Sequence, residues 1–388
     1  MPLPLKGLRV LDFTRLLPGP LCSMLLADFG AEVIKVENPR GGDPGRQTAP
    51  LKGGVSLRHL LINRGKKSLT LNLKAKEGKD VLYRLVERSD VLLEGFRPGV
   101  MARLKADYAT LSGINPGLVY ASLTGFGQNG PLKDVAGHDI NYIGYAGVLS
   151  LTGKGEPLAP GVQIADLGGG LLMLFGVLAA LFERSRTTKG RYLDISMLDA
   201  SALFLAPVIA EALTLAGRPK LENMRLNGKW ACYGVYPTKD GKFLTLGALE
   251  SKFWERFCRL VQRLEWVPLQ YEEPAQEGLK GALRALFLTK LQKDWLGLLE
   301  GEDACVGPVL EPEEALDHPQ LEQRGLFIKP PASEGGLGFS LAGALGLAAQ
   351  GAEHLKPAPC LGEHTAQILK EAGYEKDDIA KFQAEGVI

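Results

Sequence analysis

The first third of this chain alternates short apolar, β-branched runs with helical patterns, and this alternation constrains the fold more than any other feature. LRVLDF at 8–13 predicts a strand, Pro18-Gly19-Pro20 a turn, LCSMLLADFG at 21–30 a helix and AEVIKVE at 31–37 a second strand. The rhythm continues to LVYASLTGFG at 118–127. Strands and helices that alternate in this way favour an α/β fold with an open, mainly parallel sheet covered by helices.

Length and patterning indicate two domains. The 388 residues exceed the size at which a single core usually stops growing. A polar stretch at 221–234 separates two strongly patterned regions, and beyond it Asp240-Gly241 predicts a hairpin turn. We expect a large domain of residues 1–224 that is completed by residues 326–388, and a smaller α+β domain of residues 225–325.

Composition excludes several classes of partner. The net charge is +1, so the chain lacks the basic surface that nucleic-acid binding requires. The glycine motifs of nicotinamide-binding and P-loop enzymes are absent, and both classes are discounted. Five cysteines without a Cys-x-x-Cys pair disfavour disulfides and a zinc site, which fits the cytoplasm.

Two segments of the sequence bear on targeting to a membrane. The N-terminus carries no signal-peptide pattern. The longest apolar stretch, Leu167 to Phe182, is shorter than the roughly 18 residues that span a bilayer. We therefore expect a buried helix there and no membrane partner.

Polar residues that could carry chemistry follow the strands. GHDINY at 137–142 places an imidazole, a carboxylate, an amide and a phenol just beyond a glycine-rich strand end, where open sheets bind ligands. His138 could equally cap a helix or bond a core carbonyl. Asp166 precedes three glycines and an apolar helix, so it could be an N-cap, an acid/base group, or both. Glu250 ends a strand and, taken alone, favours a solvated charge.

Basic residues recur at the ends of predicted strands. Each could be ordinary surface charge, but together they could form an anion clamp at the carboxyl edge of the sheet. The residues are Arg40, Lys74, Arg97 and Arg103.

Ordered segments along nearly the whole chain resemble the family III CoA-transferase (CaiB/BaiF-like) superfamily and, within it, the α-methylacyl-CoA racemases. The most discriminating is GHDINY, because transferases of the superfamily generally lack this His. The other segments are GLRVLDFTRLLPGPLCSMLLADFGAEVIKVE at 7–37, NRGKKSLTLNLK at 63–74, LLEGFRPGV at 92–100, LTGFGQNGP at 123–131, ADLGGGLLM at 165–173, TKGRYLDISMLD at 188–199, GALE at 247–250, DACVGPVL at 303–310 and LGEHT at 361–365.

The resemblance implies an enzyme that exchanges the α-proton of a 2-methylacyl-CoA thioester through an enolate. His138 and Asp166 would be the two acid/base groups, with backbone N–H groups at the start of the Asp166 helix as candidate donors to the enolate oxygen. Asp139 and Glu250 would orient or polarise His138, and no metal or separate cofactor would be needed. Coenzyme A would be held by Leu71, Asn72, Leu73, Lys74, Gly95, Phe96, Arg97, Arg103, Gly137, Asn141 and Tyr142, with Arg40 replacing a basic residue that relatives often carry at Asn38.

The resemblance also implies a Rossmann-like large domain and an interlocked homodimer in which Glu250 serves the other subunit. Two alternatives stay open. A family III CoA-transferase would use Asp166 as a nucleophile that forms an acyl anhydride, which gives His138 no evident use. A non-catalytic acyl-CoA-binding protein would leave both His138 and Asp166 unexplained.

Overall fold

The computed structural model describes residues 3–214, 223–299, 301–328, 338–339, 345–347 and 356–388. The chain forms two compact units. The first spans Met1–Val148, Pro160–Leu205 and His318–Ile388, and the second spans Leu149–Ala159 and Ala206–Asp317. The domain limits expected near residues 224 and 326 remain predictions.

A six-stranded sheet forms the centre of the first unit. Its strand order is β5-β2-β1-β6-β7-β8, and every neighbouring pair is parallel, as the alternating pattern predicted. The strands of this unit are β1 (Arg9–Phe13), β2 (Glu32–Glu37), β3 (Leu51–Lys52), β4 (Val55–Ser56), β5 (Lys67–Thr70), β6 (Val91–Glu94), β7 (Val119–Thr124), β8 (Arg191–Ser196), and, after the second unit, β12 (Phe327–Ile328) and β13 (Gly338–Phe339). Two short antiparallel pairs, β3-β4 and β12-β13, lie outside the main sheet.

Helices cover this sheet and begin close to the predicted positions. The helices of the first unit are α1 (Pro18–Asp28), α2 (Leu57–Ile62), α3 (Lys76–Val86), α4 (Val100–Arg103), α5 (Tyr108–Ser112), α6 (Asp139–Ala146), α7 (Ile164–Thr187), α8 (Met197–Leu203), α14 (Pro319–Gln323), α15 (Thr365–Glu371) and α16 (Lys376–Ala384). Helix α1 starts inside the predicted Pro18-Gly19-Pro20 turn, because proline is well tolerated in the first helical turn.

Helix α7 is longer and less buried than predicted. It has 24 residues and packs against α1, α8 and β7. By length and composition alone it is the one helix in the described part of the chain that could cross a membrane, although core helices of soluble proteins also meet this criterion. Its buried face includes Met173 and Val177, whereas Phe175 and Phe182 are exposed. The sequence prediction of a buried helix therefore holds for one face of α7, and the other face is exposed.

The second unit has its own small sheet and core. Three antiparallel strands, in the order β11-β10-β9, are β9 (Tyr233–Pro237), β10 (Phe243–Gly247) and β11 (Val306–Val309). The predicted turn at Asp240-Gly241 joins β9 to β10, and Gly241 has a φ of +77°, a conformation that favours glycine. The helices are α9 (Ala206–Thr214), α10 (Ser251–Leu260), α11 (Gln276–Phe287), α12 (Gln292–Leu299) and α13 (Pro312–Leu316).

The C-terminal helices pack on the first unit. Thr365 begins α15 beside the edge strand β5, where its Oγ1 accepts a hydrogen bond from Thr70 N at 3.0 Å. Ile368 and Leu369 are buried in the same apolar cluster as Leu69. The end of the chain therefore completes the core next to β5.

Candidate active site

The strand order of the main sheet reverses between β1 and β6. The chain proceeds from β1 through β2 to β5 on one side, and from β6 through β7 to β8 on the other. In open parallel sheets, ligands bind beyond the carboxyl ends of the strands at such a reversal. The loops that follow β1 and β6 are therefore the first place to look for a site.

Two cavities meet at this reversal. The His138 cavity, about 480 Å³, is lined by the loops after β1, β6 and β7 and by the starts of α6 and α7. The Lys74 cavity, about 390 Å³, is lined by the residues that end or follow β1, β2 and β5. Thr14, Arg15 and Phe96 line both cavities. The two cavities thus share a wall, and one long ligand could occupy both.

His138 and Asp166 line the same cavity, although they lie 28 positions apart in the sequence. His138 is the N-cap residue of α6, and its backbone N–H donates to Asn141 Oδ1 at 3.0 Å. The Tyr142 hydroxyl donates to Gly137 O at 2.5 Å. These contacts fix the loop that presents the exposed imidazole to the cavity.

The Asp166 carboxyl is half-buried in the first turn of α7. Helix α7 begins at Ile164, so Asp166 does not occupy the N-cap position that the sequence also allowed. Burial, followed by the neighbouring Asp139 carboxylate, raises the pKa of Asp166 to about 6, while His138 and Arg58 oppose this shift. A carboxyl with this pKa can both accept and donate a proton near neutral pH.

Asp139 makes two hydrogen bonds that the sequence did not predict. Its Oδ1 accepts hydrogen bonds from Ala165 N at 2.6 Å and from Asp166 N at 3.0 Å. The carboxylate thus caps the start of α7, where a negative charge is favourable, and the structure shows no hydrogen bond from it to His138. Two backbone N–H groups at the start of α7, those of Ala165 and Asp166, therefore already donate to Asp139. That N–H groups at this helix start stabilise an enolate oxygen stays a prediction.

Most of the other predicted binding residues line one of the two cavities. Arg103 lies exposed on α4 and lines neither, and Glu250 lies in the second unit, directly before α10. The residues of the Lys74 cavity are Arg40, Leu71, Asn72, Leu73 and Lys74, together with Asn38; those of the His138 cavity are Gly95, Arg97, Gly137, Asn141 and Tyr142; Phe96 belongs to both.

Sequence reasoning missed two exposed cations of the site. Arg15 lines both cavities and Lys133 lines the His138 cavity. Arg15 directly follows the loop residue Thr14 after β1, so the rule that selected Arg97 after β6 would also have found it. Lys133 lies in an irregular segment without a periodic signal.

A set of charged residues lies in and beneath the wall of the Lys74 cavity, which Lys35, Glu37 and Asp43 themselves line. We call it the buried charge cluster; it consists of Asp12, Lys35, Glu37, Asp43, Arg46 and Lys66. Lys35 Nζ lies 2.9 Å from Asp43 Oδ2 and donates to Thr14 O at 2.9 Å. Asp43 Oδ1 accepts from Leu16 N at 3.2 Å. The cluster therefore holds the backbone of residues 14–16 in place.

Across residues 3–214, 223–299 and the other described ranges, no group of three or more His, Cys, Asp or Glu side chains is arranged to hold a metal ion.

The sequence of this fold and site matches a known enzyme family. CoA-transferase family III matches residues 5–365, and the chain belongs to this family. The chain is 38% identical to human alpha-methylacyl-CoA racemase, over 99% of this chain and 97% of the racemase. It is 34% identical to succinate–glutarate CoA-transferase of Agrobacterium fabrum (strain C58 / ATCC 33970), over 95% of each chain. These matches confirm the resemblance seen in the sequence.

A solved structure supports the fold assignment. The crystal structure of a CAIB/BAIF family protein from Brucella suis superposes with a TM-score of 0.81 at 30% identity, covering 96% of this chain and all of that one.

The similar proteins include both racemases and CoA-transferases. Membership of the family alone does not determine which of the two reactions this protein catalyses.

Proposed function

We propose that this protein interconverts the (R) and (S) epimers of 2-methylacyl-CoA thioesters by exchange of the α-proton through an enolate. The observation that carries the proposal is that His138 and Asp166 line one cavity. The 38% identity to the racemases supports the same reaction. One group removes the proton from one face of the α-carbon, and the other returns a proton from the opposite face.

Two groups are required by the stereochemistry. A single base that returned its own proton to the same face would regenerate the starting epimer. Since the pKa of Asp166 is about 6, its carboxylate predominates at neutral pH while the acid form stays accessible. General acid/base groups are most effective when their pKa lies close to the working pH.

We propose that the two cavities hold the two ends of the substrate. The Lys74 cavity would take the nucleotide end of coenzyme A through Arg40 and Lys74, and the His138 cavity would take the thioester. The shared wall at Thr14, Arg15 and Phe96 lets one ligand extend between them. Coenzyme A is then part of the substrate, and no separate cofactor is assigned.

We further propose an interlocked, cytoplasmic homodimer in which Glu250 serves the site of the partner subunit. Support comes from the exposed apolar side of α7, where Leu171, Phe175 and Phe182 are 40%, 65% and 61% exposed. Apolar side chains grouped in this way favour a protein interface. Phe175→Glu should therefore lower the mass measured by light scattering to that of a monomer, whereas an unchanged dimer mass would place the interface elsewhere.

A CoA-transferase is the second candidate. The half-buried Asp166 and the 34% identity to succinate–glutarate CoA-transferase favour it. In that reaction the Asp166 carboxylate attacks the thioester carbonyl and expels the CoA thiolate, which leaves an acyl-aspartyl anhydride. The thiolate then attacks the aspartyl carbonyl and releases the free acid. An acceptor acid reverses these steps. A plain acyl-CoA-binding protein would perform neither reaction.

One experiment distinguishes these functions. A single epimer of 2-methylacyl-CoA is incubated with the protein in deuterated water, and the α-carbon is followed by NMR. A racemase incorporates deuterium and loses chirality without any acceptor acid. Thioester exchange that appears only when an acceptor acid is added would assign a transferase, and no change under either condition would assign a binding protein.

A further inference from the structure

Arg15 lies where the two cavities meet. It follows β1 at the reversal of strand order and lines both the His138 cavity and the Lys74 cavity. Its side chain is exposed, and its Cζ lies 4.5 Å from the centre of the Phe96 ring in the loop after β6. A ligand that extends from one cavity to the other must therefore pass this guanidinium.

Hydrogen bonds to the buried side chains of Lys35 and Asp43 fix the backbone on both sides of Arg15. Thr14 O accepts a hydrogen bond from Lys35 Nζ, and Leu16 N donates to Asp43. Leu16 has a φ of +67°, in the left-handed region that is costly for a residue other than glycine. A completely buried ion pair, Lys35 with Asp43, thus holds this unusual loop conformation.

The Arg15 guanidinium has no counter-ion in the described part of the chain. Among the residues that the structure describes, no carboxylate lies within 4.0 Å of Arg15, whereas Lys35, Arg46 and Lys66 each have one. The face of the Arg15 guanidinium stacks on the Phe96 ring, and this contact restrains the orientation of the guanidinium plane. Its N–H groups point outward from the edge of that plane and stay available to an oxyanion.

We propose that Arg15 binds an oxyanion of the substrate at the junction of the two cavities. This rests on the proposed function only in taking an acyl-CoA as the ligand. Such a ligand can supply the oxyanion in two ways: from the diphosphate of coenzyme A, or from a second carboxylate on the acyl group. The planar fork of a guanidinium matches both oxyanions. The pantetheine arm between them is uncharged.

The test measures binding by calorimetric titration. The ligands are coenzyme A, a 2-methylacyl pantetheine without the diphosphate, and two 2-methylacyl-CoA esters of equal length, one of which carries a terminal carboxylate. The variants are Arg15→Gln and Arg15→Lys. Arg84→Gln is the matched control, because Arg84 stacks 4.3 Å from the Tyr374 ring and lines neither cavity.

Each outcome decides the proposal. Arg15→Gln should weaken binding about ten-fold or more, as is typical when a hydrogen bond to a charged group is lost, with a smaller loss in Arg15→Lys. A loss for all CoA compounds that spares the pantetheine ester identifies the diphosphate. A loss confined to the carboxylated ester identifies the acyl carboxylate. Equal losses for all four ligands, or affinities within two-fold of the Arg84→Gln control, would overturn the proposal.

These binding measurements do not depend on catalysis. If the deuterium experiment shows a transferase or a binding protein, the Arg15 titrations still test the oxyanion. If Arg15→Gln binds normally while wild-type protein epimerises its substrate, only the inference about Arg15 is lost.

Discussion

Two groups of acidic residues in the first unit differ in their electrostatics. In the buried charge cluster, Asp43 pairs with Lys35 at 2.9 Å, and Glu37 pairs with Arg46 at 2.7 Å. Burial by itself would raise the pKa of these carboxyls, but the neighbouring ammonium and guanidinium groups outweigh it and the pKa values are lowered. These carboxylates stay ionised and tie loops together.

Asp166 is half-buried but has no such partner. Burial raises its pKa, and the adjacent Asp139 carboxylate raises it further, to about 6. No ion pair of Asp166 occurs within the described residues. The presence of a counter-ion, more than the degree of burial, therefore distinguishes a structural carboxylate from one that can exchange protons.

The largest effect is expected from loss of the imidazole. His138→Asn should lower α-proton exchange by roughly 10³-fold, since positioned acid/base groups contribute about 10²–10⁴-fold. The affinity for coenzyme A should stay within two-fold. His318→Asn is the control, because His318 is also the N-cap of a short helix, α14, and lines neither cavity. Equal losses of exchange and CoA affinity would indicate a structural histidine.

Breaking the buried charge cluster should chiefly affect stability. Lys35→Met leaves the Asp43 carboxylate buried without its partner, and the free energy of unfolding should fall by about 3–5 kcal/mol. Urea denaturation monitored by circular dichroism measures the change. Lys67→Met is a suitable control, since Lys67 pairs with Glu32 at the partly exposed edge of the sheet. Similar midpoints for the two variants would contradict a structural role of the cluster.

The smallest effect concerns Asp166 and has a definite pH dependence. Its folded pKa, about 6, exceeds the unfolded value of about 3.9, so ionisation destabilises the folded state increasingly from about pH 4 to 6. Asp166→Asn removes this cost and should stabilise the protein by about 1 kcal/mol at pH 7.5, after allowance for partial exposure. At pH 4 the two proteins should melt alike. Destabilisation at pH 7.5 would contradict the raised pKa.

The main elements of the fold could be predicted from periodicity. The parallel sheet and the turn at Asp240-Gly241 follow from local patterns. The length of α7 does not follow from its apolar run, because the helix extends beyond Leu167–Phe182 into polar residues at both ends, from Ile164 to Thr187. The exposure of Phe175 could not be predicted either, since an apolar residue at a helix surface has the same local pattern as a buried one.

The site could be predicted only in part. The motif GHDINY and the family resemblance selected His138 and Asp166, which line one cavity. The hydrogen bonds of Asp139 were missed because they reach a helix that starts 25 positions later, at Ile164. The buried charge cluster was missed because Asp12, Lys35 and Lys66 come from separate segments and meet only in the folded sheet.

The central claim is that two side chains serve opposite faces of one α-carbon. The most direct test incubates each epimer separately with His138→Asn and with Asp166→Asn in deuterated water and measures α-deuterium by NMR before any inversion. The two-base mechanism predicts that each variant exchanges the α-proton of only one epimer for deuterium. The epimer that His138→Asn exchanges should be the opposite of the one that Asp166→Asn exchanges. Exchange of both epimers at equal rates by either variant would contradict it.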